Sequence, residues 1–599
     1  MNSKKVFSLA AALAVMLSMV GILQGAAYNP DTLVTVGSPS SPFSANKQNE
    51  PALAVDANHP DILAAGSNDN IDMEACNAGA DNTCPFTPGV GSSGIYFSFD
   101  RGTSWTQPTY TGLSARSCTG AVGDSDPGCT PQVGPIGTLP WYYENGLVSN
   151  GDPALAFGPM PGSDGTFSWA NGERLYYANL TVKLGGAAAQ ETFKGPVAVY
   201  VSRTDNVQAA AASDKDAWKN PVLVTQQSST TFSDKEQIWA DNASSSPFFG
   251  NVYVCNAAFR SNSRGQAFAV PLLVSVSRDG GDSWSSKQVT SASNTPFNPV
   301  QGFGRSGCTI RTDSQGVVYV FAQQFAVGQP GVGSHIMVKS YNGGQTWTPP
   351  MNIGVAVDTC FEVSFDGNGF RCVMDGIAGS RDDLSASPSV DIANGAPTGA
   401  GATDEIVRTW VDGRNGIADV PVFVSASTDG GSTWTDPVNV AGAGDRGYYS
   451  AISISPNGTD AYLVYNAFTT PFRDDTTSPR TLIGVVKHAD VGSNGALGAF
   501  SELLRTPPGD PRASSQNNLW MEFLGDYVYS VATRDYGAAV WNDTRNAADC
   551  PAMDVWRAAA QDAIANGTAV PAKPAPQQDC PATWGNSDIF GGSFPDPTP

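Results

Sequence analysis

Ser98-Phe99-Asp100-Arg101-Gly102-Thr103-Ser104-Trp105 decides how this chain is read, because its frame returns three more times. The other copies are Ser277-Arg-Asp279-Gly-Gly281-Asp-Ser-Trp284, Ser340-Tyr-Asn342-Gly-Gly344-Gln-Thr-Trp347 and Ser427-Thr-Asp429-Gly-Gly431-Ser-Thr-Trp434. The shared pattern is S-x-[DN]-x-G-x-[ST]-W. Each copy follows a short alternating run such as Ile95-Tyr96-Phe97 or Val422-Phe423-Val424, so it falls where a strand ends and turns back. The Asp or Asn side chain accepts backbone N–H bonds, the Gly takes a positive φ, and the Trp covers the turn.

Working outward, a pair of apolar strands precedes each hairpin. Pro51-Ala-Leu-Ala-Val is followed by Ile62-Leu-Ala-Ala, Pro153-Ala-Leu-Ala-Phe by Leu175-Tyr-Tyr-Ala, and Gln237-Ile-Trp-Ala by Val252-Tyr-Val-Cys. Further pairs start at Cys308 and Val318, Ser389 and Ile406, Ala451 and Ala461, and Tyr527 and Ala538, which makes seven units. Units two, six and seven lack the octapeptide but carry a third strand, read as Val197-Ala-Val-Tyr-Val-Ser, Leu482-Ile-Gly-Val-Val and Met553-Asp-Val-Trp. With 64 glycines, 42 prolines and almost no helical periodicity, the chain is all-β. Many short strands at a regular period predict a β-propeller, whose radial sheets hide strand edges; seven blades fit the count, and six stays open.

The octapeptides resemble the Asp box, or bacterial neuraminidase repeat, of the sialidase superfamily. The resemblance implies a propeller with an extracellular glycan-active function; blade topology puts these hairpins, as turns between strands three and four, on the face opposite the cavity mouth. Sialidases have six blades, an F-R-I-P-like arginine ahead of the first Asp box, two further arginines, a Tyr–Glu pair and an acid/base Asp. Here no arginine precedes Arg101, and Phe370-Arg371-Cys372-Val373 lies mid-chain and lacks the proline. The resemblance covers the repeats and not the catalytic set.

The ends and the cysteines set the compartment. Lys4 and Lys5, an apolar run from Val6 to Leu23 and the small residues Gly25, Ala26 and Ala27 read as a secretory signal peptide over residues 1–27. The expected organisation continues with a lead-in at 28–48, the propeller at 49–560, and a C-terminal extension at 561–599 tied back by a disulfide and ending in a disordered tail. Ten cysteines in an exported chain favour five disulfides. Cys76 lies close to Cys84, Cys118 to Cys129, Cys360 to Cys372 and Cys550 to Cys580, leaving Cys255 and Cys308 to staple units three and four. Only three histidines are present and no paired C-x-x-C, so neither a zinc site nor a Ser-His-Asp mechanism is expected. A net charge of −22 argues against nucleic acid as partner, and no later segment is apolar enough for membrane insertion. A secreted monomer with a carbohydrate partner is the expectation.

Chemistry is expected where first strands begin and second strands end, because these emerge together on one face. Glu50, Asp152, Glu236 and Asp526 enter first strands and are the catalytic candidates, since glycosidic cleavage uses a pair of carboxylates. Arg305, Tyr448 and Tyr449 enter first strands too; Asp412, Arg414, Asp543 and Arg545 leave second strands in the near-copies Trp410-Val-Asp-Gly-Arg-Asn and Trp541-Asn-Asp-Thr-Arg-Asn. These seven are candidate substrate ligands, with an arginine clamp on a substrate carboxylate as one use and a blade-level salt bridge as the other reading. No cofactor is required, although converging carboxylates also suit Ca²⁺. The leading function is a sialidase-like glycoside hydrolase; a non-catalytic propeller that binds a surface glycan or protein, and a polysaccharide lyase, are the alternatives.

Overall fold

In the computed structural model the described residues are 28–76, 84, 86–118, 129–185, 193–225, 228–260, 270–291, 305–325, 331–365, 367, 369–375 and 380–598. The expected signal peptide lies outside them. Six sheets follow one another along the chain, each an antiparallel meander running outward from an axial first strand. Blade one pairs Gln48–Val55, Leu63–Asp69 and Ser93–Ser98, with only a bridge from Phe97 to Thr106 in its fourth position. The first strands of blades two to six are Ala154–Pro161, Thr231–Ala240, Arg305–Thr312, Ser389–Ile392 and Arg446–Ile454.

Blade seven closes the ring with both ends of the chain. Its strands run Tyr529–Ala532, Tyr536–Asp543, Asp588–Pro595 and then Thr32–Leu33 from the N-terminal lead-in. The count of seven blades therefore holds, but the third strand expected at Met553-Asp-Val-Trp is instead part of a helix, Pro551–Ala565. Four residues alternate like a strand there, yet over the whole segment Met553, Trp556, Ala560 and Ala563 recur at helical spacing and are buried, with Pro551 in the first turn. The strand Asp588–Pro595 lies in the stretch read as a C-terminal extension beyond the propeller; its partners are Tyr536–Asp543 on one side and residues 32–33 on the other.

The core lies between blades. Blades three and four meet through Val274, Val276, Ile310, Val320 and Val338 with Cys255 and Cys308 among them, and each such side chain contributes roughly 1.5–3 kcal/mol by leaving water. All five cysteine pairs are disulfides as read from the spacing, including Cys255–Cys308 between neighbouring blades. Among the described residues no helix is long and apolar enough to cross a membrane.

The four octapeptides form one turn. Asp100 accepts from Ser104 N at 2.9 Å, Asp279 from Ser283 N at 3.0 Å, Asn342 from Thr346 N at 2.8 Å and Asp429 from Thr433 N at 2.9 Å. In each the leading Ser hydroxyl accepts the N–H of the conserved Gly, for example Gly102 at 2.8 Å. Arg101 N bonds Asp61 O in the turn between the first two strands of blade one, so these hairpins share the end of the ring that lies away from the strand entries.

Candidate active site at the axial mouth

The mouth end of the first strands departs from regular pairing. Ladder register shifts between Asn49 and Ala52, Asp234 and Gln237, Ser306 and Thr309, and Gly447 and Tyr449. At the kink the backbone is left-handed: φ is 55° at Glu50, 51° at Asp152, 56° at Lys235, 59° at Gly307 and 92° at Gly525. A non-glycine residue there is strained by about 1–3 kcal/mol, and such strain concentrates at functional sites. Glycine takes the position in blades four and seven without that cost.

This register corrects the expectation that Glu50, Asp152, Glu236 and Asp526 share one position. The left-handed slot holds Glu50, Asp152 and Lys235, which all line a mouth cavity of about 1150 Å³. Glu236 and Asp526 stand one residue later, and they line a compartment of about 80 Å³ deeper in the channel. Lys235 borders both spaces. Below them a third cavity of about 290 Å³ occupies the opposite end, with Arg311 and Tyr529 between the second and third.

Lys235 is the residue that sequence reasoning missed. Its Nζ lies 3.1 Å from Asp152, 3.7 Å from Asp234 and in direct contact with Asp526. Burial opposes its charge, but Asp152, Asp234 and Asp526 together hold the ammonium well above the usual lysine range. Burial likewise opposes the charge on Asp526, yet Lys235 and Arg381 keep that carboxyl below its ordinary value. Glu50 goes the other way: burial, then the negative charge of Asp152, pushes it well up. Burial pushes Asp234 to about 7. Glu236 is also pushed well up by burial, and neither of its oxygens has a hydrogen-bond partner. The signal was available in the string Lys235-Glu-Gln-Ile-Trp-Ala, which matches Glu50-Pro-Ala-Leu-Ala-Val position for position when aligned on Ile238 and Leu53.

Asn68 ties the first two blades together at the cavity floor. Its Nδ2 donates to Glu50 Oε2 at 2.6 Å, while its Oδ1 accepts the Asp152 N–H at 2.7 Å. Arg381 forms an ion pair with Asp383 and stacks 4.6 Å over Phe523. Tyr448 and Tyr449, proposed from sequence as substrate ligands, are buried beneath Arg381, and both hydroxyls donate to its backbone carbonyl. They place Arg381 and do not line the mouth.

The near-copy exits are also accounted for by their own contacts. Arg414 grips Asp412 through Nε at 2.7 Å and Nη2 at 2.8 Å, and Asp412 accepts the Trp410 indole N–H at 2.9 Å. Arg545 grips Asp543 at 2.6 Å and Asp31 at 2.6 Å, and lies 4.0 Å over Phe590. These four residues form blade-level ion pairs outside the cavity lining, so the arginine clamp expected from them is not built. Arg305 begins the first strand of blade four, and its side chain lies outside the described residues. The histidines are engaged elsewhere: His335 Nε2 is 2.9 Å from Ala386 O, and His488 Nε2 is 3.0 Å from Asp460.

No protein-family profile matches this chain, and no curated protein does. Among solved structures it is similar to a Hadza microbial sialidase at 13% identity over 70% of this chain and 63% of that one, with a TM-score of 0.35. It is similar to the NanB sialidase of Streptococcus pneumoniae at 11% identity over 73% and 67% of the two chains, TM-score 0.36. A third is an α-L-arabinofuranosidase of Fusarium graminearum, at 10% identity over 76% and 94%, TM-score 0.34. The chain spans less than two thirds of the length of the Hadza sialidase. Likeness at this level bears no argument about chemistry, and the seven-bladed ring rests on this chain's own strand pairing.

Proposed function

We propose that this protein is an extracellular glycan-active propeller that cleaves a glycosidic bond at the axial mouth, with Glu50 as proton donor and Asp152 as the opposing carboxylate. The observation that carries this reading is the geometry of one cluster, in which Lys235 pairs with Asp152 and Asp526 and Asn68 links Glu50 to Asp152. Glu50 is pushed to hold its proton, while Lys235 compensates Asp152 and keeps Asp526 ionised. A glycosidase needs a protonated carboxyl and a second carboxylate at the same bond; burial favours the proton on Glu50, and Lys235 stands 3.1 Å from Asp152. Asn68 orients both members, and the left-handed backbone at residues 50 and 152 directs them to the cavity. Asp526 acts through Lys235 as a positioning residue.

Turnover of a panel of aryl glycosides and oligosaccharides by the purified secreted protein tests the reading. Glu50→Gln and Asp152→Asn are each expected to lower kcat by about 10²–10⁴-fold at unchanged thermal midpoint. Full activity in both variants overturns the assignment. The paired aromatics Phe232 and Phe259 on the mouth, 6.1 Å apart, favour a second reading as a glycan-binding module; binding without turnover of any substrate would select it.

A further inference from the structure

We propose that the mouth cavity selects an uncharged sugar and discriminates against sialic and uronic acids, an inference that rests on the glycan-active reading above. Lys235 is committed to Asp152, Asp234 and Asp526. Arg381 is paired with Asp383, and Arg371 approaches the same carboxylate at 3.9 Å. Lys47 Nζ donates to Ser514 Oγ at 2.8 Å and Phe523 O at 2.6 Å, and burial lowers its pKa to about 7. Among the described residues these four are all the lysines and arginines lining the cavity. Six carboxyl side chains, Glu50, Asp152, Asp234, Asp358, Asp382 and Asp383, line the same cavity, so an anionic sugar meets more acids than bases there, and drawing Arg381 toward it weakens the pairing at Asp383.

The unsatisfied groups point the same way. Asp382 is 2% exposed, and its Oδ2 faces the cavity wall without a hydrogen-bond partner, as does Gln516 Nε2. One is an acceptor and the other a donor. A sugar hydroxyl can both donate and accept and so serves either, whereas a carboxylate can only accept. Phe232, 37% exposed and set edge-on to Phe259, adds an apolar face against which the C–H side of a neutral ring can lie.

The experiment compares neutral parents with their acidic congeners by isothermal titration at 0.15 M NaCl: lactose with 3′-sialyllactose, galacto-oligosaccharides with oligogalacturonates, and xylo-oligosaccharides with and without glucuronic acid. One neutral series is expected to bind at least tenfold more tightly than its acidic congener, and Phe232→Ala to weaken that binding about tenfold at unchanged thermal midpoint. Asp383→Asn, which frees Arg381, is expected to raise affinity for the acidic congener. Tighter binding of an acidic congener by the wild type, or no gain for it in Asp383→Asn, overturns the inference while leaving a glycan-active protein. Failure to bind either class overturns the glycan-active reading itself.

Discussion

Replacing Lys235 by Met removes the one positive charge shared by three carboxylates, of which Asp152 and Asp526 are buried, while keeping most of the side chain's volume. The ammonium sits 3.1 Å from Asp152, 3.7 Å from Asp234 and against Asp526. Losing one partner of a buried pair costs about 3–5 kcal/mol, because the charge left behind has neither water nor counter-ion. The carboxylates can escape that cost by taking up protons, so the variant's acids titrate higher when folded than in the unfolded chain. With folded values raised, the unfolded chain releases protons first as pH increases, and the variant's deficit grows through that interval. The loss should therefore be close to the full 3–5 kcal/mol at pH 8 and about 1 kcal/mol or less at pH 4. Thermal midpoints at a fixed scan rate for wild type, Lys235→Met and Lys235→Arg at both pH values provide the assay. Equal destabilisation at pH 4 and pH 8 would show that Lys235 matters only for packing, and no destabilisation at pH 8 would remove it from the centre of the cluster.

Two other consequences are open to direct measurement. Asp100→Ala strips the acceptor from the Ser104 N–H and hydroxyl on the face away from the mouth, so it should cost about 1 kcal/mol of stability and leave sugar binding untouched; loss of binding at unchanged stability would reverse the assignment of faces. The wild type should be more stable near pH 5 than near pH 8, because burial pushes Asp72 and Asp358 to about 6 and Asp241, Asp382, Glu405 and Glu522 to about 7. Between their ordinary values near 4 and these raised ones the folded chain holds protons that the unfolded chain has released, so stability falls as pH rises through that window. Lys47, lowered to about 7, adds stability only as pH climbs above that value. A thermal midpoint that rises from pH 5 to pH 8 would contradict the balance.

Much of the architecture is written in local patterns. Each octapeptide forms its turn from its own side chains, as Asp100 and Ser98 do within eight residues, so the motif needs no distant partner to be recognised. The disulfides follow for a similar reason: four pairs are close in the chain, and the fifth joins neighbouring blades at Cys255 and Cys308. Blade seven was harder. Its third strand, Asp588–Pro595, carries two adjacent glycines and pairs with residues 32–33, more than 500 positions away, which no window of sequence can register.

The sequence by itself determined the repeats, their turns, the end of the ring on which chemistry could gather, and the residue types available there. Which of those residues meet was decided only by tertiary structure. A single left-handed residue stands at the mouth end of the inner strand in five of the seven blades, and in blades one, three and four it goes with a shift of the ladder register. That shift places Lys235 in line with Glu50 and Asp152 and sends Glu236 and Asp526 one step deeper. Side chains alternate in direction along a strand, so a one-residue displacement changes which space each occupies. The same physics separated the two copies of the Asp–Arg exit from the cavity. Asp412 and Asp543 are within reach of their own Arg414 and Arg545, and a charge satisfied two residues away has no reason to turn toward the axis.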